Sequence, residues 1–192
     1  GSVGKIPDSL KSEFKTLAGR TVFDGGGLEP DIEIAPQGYS PLSYSLLQND
    51  LIFHFATKYA FEHPQISDPI SFSLTEQEYA SFVTWLEDKE YNYTTQVEKS
   101  VERLIASAKK EKYYADIEQQ ILDLKKATLH NKTSDLMNFK KEVKSILEQE
   151  ITSRYYLQEG AIESTFKEDL DILTAVEVLQ DAERYQSILA RQ

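Results

Sequence analysis

The stretch DGGGLEPDIEI, Asp24 to Ile34, gathers the residues of this chain best suited to bind something. Three consecutive glycines, Gly25, Gly26 and Gly27, stand between the acids Asp24, Glu29 and Asp31, with Pro30 among them. Glycine-rich backbone can cradle a phosphate when it leads into a helix and a Lys with a Ser or Thr follows. Here it leads into an alternating run broken by Pro30, no lysine follows, and Glu29, Asp31 and Glu33 repel an anion. The acids fit a cation better, so Asp24, Glu29 and Asp31 are the candidate metal ligands, with calcium the hard cation that such oxygens suit. The regular spacing of an EF-hand loop, closed by a bidentate Glu, is absent. The structural reading outweighs both: the glycines allow positive φ and close backbone approach, and Pro30 fixes the start of a following strand.

Elsewhere the signals for catalysis are sparse. His54, His63 and His130 are scattered, with no HxxxH or HExxH spacing to build a zinc site from sequence neighbours. His130 suits a helix carboxyl end, where a cation meets the dipole. No GxSxG elbow supports a Ser-His-Asp triad, although a dispersed triad stays open. There is no cysteine, which removes thiol nucleophiles, disulfides and thiolate metal sites together. No catalytic residue and no cofactor are assigned. Tyr113-Tyr114 and Tyr155-Tyr156 lie beside Lys112 and Arg154. Such tyrosines more often close a helical core with their hydroxyls at the rim than line a ligand groove. Arg154, Tyr155 and Tyr156 are nonetheless the candidate interface, because Arg154 can meet an acid or an aromatic face at a junction.

The elements that would hold these residues fall into two textures. The chain has 192 residues, 40% apolar and 28% charged, ample for a packed core. Its net charge of −11 repels phosphate backbones. The basic clusters at Lys109, Lys110 and Lys112 and at Lys140, Lys141 and Lys144 are flanked by acids, as on solvated helix faces. Nucleic acid is therefore not an expected partner, and no apolar run is long enough for a membrane helix. The chain begins GSVGKIPDS without Met, so it is expected to be an internal or carboxyl-terminal piece.

Residues 1–36 read as a helical turn after Pro7, capped by Asp8, then short strands at FKT, TVF and DIEIA, with LAGR and DGGG as turns. Three such strands bury too little to stand alone. Residues 37–192 read as helices. Ser40-Pro41 starts a run through Leu42, Leu46, Phe53, Ala56 and Ala60 that His63-Pro64 stops. Thr75 to Glu78 and Thr95 to Glu98 are capping boxes. Further stripes run through Tyr114 to Leu124 and Leu136 to Ile151, with a break expected at Gly160, and a tail to Leu189. The fold class is mainly α, a multi-helix bundle preceded by a short β-hairpin or edge-strand segment.

The segment KIPDSLKSEFKTLAGRTVFDGGGLEPDIEI, Lys5 to Ile34, resembles the end of the protease core in the carboxyl-terminal processing (tail-specific) serine proteases. The residues that carry it are Gly19-Arg20, Gly25-Gly26-Gly27 and Pro30-Asp31-Ile32. EITSRYYLQEG, Glu150 to Gly160, and VLQDAERYQSIL, Val178 to Leu189, are similar to signatures of a carboxyl-terminal extension found in one bacterial branch. The resemblance implies a parent that cuts unstructured protein tails with a Ser nucleophile and a Lys base, both upstream of Gly19-Arg20, and a PDZ domain, also upstream. It implies that residues 1–36 close the protease core, that residues 37–192 form a helical domain, and that this piece alone is inactive. Its implied partners are the rest of the parent protease and, in a homo-oligomer, a second copy. The implied location is periplasmic or otherwise extracytoplasmic. Two readings stand beside it: an independent helical interaction module, and a cation-binding regulatory domain using the acidic turn.

Overall fold

The computed structural model describes residues 11–17, 19–24, 30–128 and 132–190. Among them lie two strands, β1 (Glu13–Lys15) and β2 (Thr21–Phe23), and nine helices. These are α1 (Pro41–Gln48), α2 (Leu51–Glu62), α3 (Glu76–Trp85), α4 (Gln96–Lys110), α5 (Tyr114–Thr128), α6 (Lys132–Asn138), α7 (Lys140–Thr165), α8 (Leu170–Gln180) and α9 (Ala182–Leu189). The architecture is thus mainly helical, with one small antiparallel sheet ahead of the bundle. Two compact units result: Gly38–Thr165, and the segment up to Gln37 combined with the segment from Phe166 onward. The helical turn expected after Pro7 lies outside the described residues.

The helical unit is set by its caps. Ser40 accepts from the Ser43 amide at 3.2 Å, and Pro41 takes the first helical position, where its missing donor is not needed. Both capping boxes form, at Thr75 with Glu78 and at Thr95 with Glu98. The run expected over residues 42–60 is two helices, because Asp50 turns the chain at φ 56° and the amides of Asn49 and Asp50 close the end of α1. That break resets the helical phase. Leu51, Ile52, Phe55, Ala56 and Tyr59 face the core, while Phe53 is turned outward and half exposed.

α2 packs on α7 at the centre, α1 on α2, and α6 on α7. Leu42, Leu46, Phe82, Val143, Leu147 and Ile151 are fully buried there, and the Phe55 ring meets Phe82 edge-on at 4.9 Å. α4 and α5 form a separate helical hairpin that packs chiefly on itself through Val101, Ala108 and Ile121.

The break expected at Gly160 occurs three residues earlier. Leu157 adopts φ 58° and ψ −152° inside α7, a conformation open to glycine and strained for leucine, and helix resumes to Thr165. Gly160 serves packing instead. A Cβ placed there would lie 2.2 Å from Tyr156 Cβ and 3.3 Å from Pro69 Cγ, because the kink folds the next turn against the Tyr156 side chain.

In the other unit, Phe14 pairs with Val22, and Glu13 and Lys15 pair with Phe23 and Thr21. The connecting turn needs Gly19 at φ 85°, and its amide donates to the Thr16 carbonyl at 2.9 Å. The third strand expected at Asp31–Ala35 does not form; among the described residues no strand lies beside it to complete a ladder. Asp169 caps α8 and Asp181 caps α9.

Two substitutions in α7 test this account with opposite signs. Leu157→Gly relieves the strained φ and stabilises the protein by about 1 kcal/mol, while Gly160→Ala drives its methyl into Tyr156 and costs about 1–3 kcal/mol. Thermal unfolding of both variants reads the two shifts, and equal-signed shifts would refute the kink geometry.

Candidate functional site

Three places are candidates for a site, and two of them, the acidic turn and the Arg154 cluster, hold residues singled out by sequence. The first is the acidic turn. Gly25, Gly26, Gly27 and Glu29 lie outside the described residues. Asp24 is used at the mouth of the β-hairpin, where its carboxylate accepts from the Ser12 amide at 2.7 Å and its own amide donates to the Ser12 carbonyl at 3.1 Å. Asp31 forms an ion pair with Arg20, which joins the ends of the Gly19-Arg20 and Pro30-Asp31 motifs. Among the described residues no three acid or histidine side chains gather as a metal centre. His54 lies exposed on α2, and His63 stacks on Tyr59 at 3.9 Å. His130 lies outside the described residues.

The second place is a groove of about 330 Å³ in the same unit, between Ile34–Gln37 and the start of α8. Glu168, Asp169 and Asp171 line it, but the Asp169 carboxylate already accepts from the Asp171 and Ile172 amides at 2.9 and 3.1 Å.

The third is the Arg154-Tyr155-Tyr156 cluster on α7. The Arg154 guanidinium lies 4.4 Å from the centre of the Phe53 ring, pairs with Glu150 at 2.8 Å one turn back, and reaches Thr57 Oγ1 at 3.4 Å. It therefore meets both an acid and an aromatic face, and it fastens α7 to α2 inside the helical unit. The Tyr155 hydroxyl donates to the His63 carbonyl at 2.5 Å. Tyr156 reaches the Ser67 carbonyl at 3.3 Å. Tyr155 half-buries its ring along α7 while Tyr156 stays exposed, and both direct their hydroxyls to the loop after α2, as rim tyrosines do.

Several polar pairings that matter here carried no signal in the sequence. Glu148 is 4% exposed, an acid within the apolar stripe of α7. Its Oε1 accepts from Ser73 Oγ at 2.9 Å and the Leu74 amide at 2.8 Å, with Lys144 Nζ 3.6 Å away. Tyr59 donates to Glu78 Oε1 at 2.5 Å, Tyr79 to the Leu136 carbonyl at 2.6 Å, and Tyr93 to Asp135 Oδ2 at 2.7 Å. A polar residue in an apolar stripe is visible in sequence only once the helix phase is known, and its partner lies dozens of residues away.

These bonds shift the tyrosines one way. Burial pushes the Tyr59, Tyr79 and Tyr93 hydroxyls well above their ordinary value of 10.0; the neighbouring carboxylates of Glu78 and Asp135 add to this for Tyr59 and Tyr93, and the nearby Tyr91 does so for Tyr79. Burial also pushes the Glu78 carboxyl up, but hydrogen bonds from Tyr59 and Thr75 outweigh it and leave the group below its usual 4.5.

The family model described as the carboxyl-terminal helical domain of a probable PDZ-protease matches residues 42–179. No curated protein and no solved structure matches the chain. The matched span covers most of the chain, which belongs to that family.

Two measurements follow from the buried polar network. Glu148→Ala strands the Ser73 hydroxyl and the Leu74 amide and costs about 1–3 kcal/mol, read as a lower denaturant midpoint. The raised tyrosines favour their neutral form in the fold, so their contribution is complete below pH 10.0 and is lost as pH rises above it. Glu78 works in the reverse sense: its contribution is present above pH 4.5 and is lost as pH falls below that. Tyr93→Phe flattens the alkaline limb of stability against pH and leaves the acid limb in place.

Proposed function

We propose that this chain is the non-catalytic carboxyl-terminal region of a tail-specific serine endopeptidase, and that its β-hairpin unit docks on the catalytic core while the helical unit braces it and guides substrate tails. In this reading the Ser nucleophile and Lys base belong to upstream sequence. A lysine in an apolar pocket has a lowered pKa, which lets it take the serine proton as the hydroxyl attacks the scissile carbonyl. No Ser or Lys of this chain is given either role. The PDZ domain in the family's description supplies the expected grip on the substrate tail, and an extracytoplasmic location belongs to the same proposal.

One observation carries this reading. The hairpin unit has almost no interior of its own: Val178 is its only buried apolar side chain among the described residues. Phe14 and Phe23 are more than half exposed, and Val22 more than a third. Phe14 and Val22 form a cross-strand pair on one face, a patch suited to a packed layer. A two-stranded ribbon is marginal in water, and its outer edges offer unpaired backbone groups to further strands. An upstream core would supply both the layer and the strands.

A second reading has its own support. Gly38–Thr165 closes a core around α2 and α7 without help, as an independent interaction module would. The two readings part on whether the hairpin matters to proteolysis. A longer chain with upstream residues restored, and this chain alone, are each mixed with a protein bearing an unstructured apolar tail, and products are read by mass spectrometry. Only the longer chain trims the tail, and Phe14→Asp with Val22→Asp in the longer chain lowers trimming roughly tenfold or more. Trimming by this chain alone, or indifference of the longer chain to the double substitution, would sink the proposal.

A further inference from the structure

The α4–α5 hairpin has two unlike flanks. Glu102 pairs with Lys125 at 2.8 Å, and Lys109 lies 5.0 Å over the Tyr114 ring. Both contacts join α4 to α5 with descending residue numbers, so the helices are antiparallel, and helical periodicity puts both contacts on the same side of the Val101, Ala108 and Ile121 seam. That flank is sealed by charge.

The opposite flank is apolar and open. Val97 and Leu104 on α4 and Leu124 on α5 stand three or four residues from Val101 and Ile121 of the seam, yet are 56%, 44% and 42% exposed. Between them the same turns present Ser100, Ser107, Gln120 and Ala127, all exposed and uncharged. Charged residues stay off this flank except at the tip, where Glu111 and Asp116 stand, in a chain that is 28% charged. Depletion of charge around half-buried aliphatics marks the centre of an interface, and the small side chains let another helix approach closely.

We propose that this flank is the contact between two copies of the chain, which lay their α4–α5 hairpins head to tail into a four-helix bundle with Leu104 and Leu124 as its central layer. Two features favour a second copy. From Gln96 to Thr128 the chain carries seven basic and six acidic side chains, against −11 for the whole, so hairpin meets hairpin without net repulsion. A two-fold contact also needs a self-complementary surface, and a neutral stripe with its leucine layer at mid-length meets that need. The head-to-tail arrangement keeps the Glu111 and Asp116 tips of the two copies apart.

The test reads mass, so its outcome is independent of the proteolytic proposal. Light scattering of this chain over a wide concentration range is expected to show a particle of twice the 22.0 kDa protomer. Leu104→Lys with Leu124→Lys raises the dissociation constant roughly tenfold or more, with helix content unchanged by circular dichroism. Leu122→Lys, off the apolar flank, leaves the dimer intact. The absence of cysteine allows a second readout that does not depend on the charged variant folding: Leu104→Cys crosslinks to its partner under mild oxidation and Leu122→Cys does not. A monomer at every concentration, a dimer indifferent to the lysine pair, or equal crosslinking of the two cysteines overturns the proposal.

Discussion

The Glu148 carboxylate governs the helical unit. A charge inside an apolar core is tolerable only when other groups compensate it, and removal of one partner leaves the rest exposed to the full cost of burial. Glu148 meets the Ser73 hydroxyl, the Leu74 amide and Lys144, so α7 grips the chain just ahead of Thr75. Thr75 is the cap of α3, and the grip sets where that helix begins. The start then fixes which residues face inward, which is why Tyr79, Phe82 and Leu86 reach the core. Glu78 in the same capping box also accepts from Tyr59, and so links α3 to α2. One buried acid and one capping box thereby orient α2, α3 and the sequence-remote α7.

What the sequence made legible, and what it hid, follows from the range of the interactions. Caps are decided within four residues, so Ser40, Thr75 and Thr95 are readable directly and all three start helices. The division at Asn49–Asp50 was masked by the apolar positions that keep helical spacing across it; Asn and Asp tolerate left-handed backbone, and Asp50 adopts it at the turn between α1 and α2. The phase error that followed put Phe53 in the core, when its ring in fact carries Arg154 on the surface. At the kink the glycine was visible and its reason was not. Gly160 is needed beneath Tyr156, while the strained φ falls on Leu157, which no local rule selects. The candidate interface at Arg154 and the two tyrosines is placed by partners on α2 and its following loop, nearly a hundred residues away in sequence. The DIEIA run shows the converse: alternation proposes a strand, but only a neighbouring strand can complete one.

The two units differ in what they lack. Gly38–Thr165 encloses its aromatics and aliphatics, and none of its described buried side-chain polar atoms goes without a partner. The hairpin unit has its turns, caps and register in order, yet leaves Phe14, Phe23, Leu173 and Leu179 facing outward. Its local structure is well specified, while Val178 alone among its described apolar side chains is buried.

The open surfaces of the molecule also select differently. A strand edge recognises any extended backbone of the right direction, and it gains specificity only from the side chains beside it, here the Phe14–Val22 pair. The α4–α5 flank offers no unpaired backbone and selects by shape and by the absence of charge. A chain carrying −11 resists association in general, but at physiological ionic strength that repulsion fades within about 8 Å. Association is then decided by what touches. The charge-sealed side of the α4–α5 hairpin would have to strip Glu102 and Lys125 of water to form a contact, whereas the Leu104–Leu124 side loses only water that already solvates apolar surface poorly. Desolvation, more than attraction, therefore makes the Leu104–Leu124 face the less costly of the two to cover.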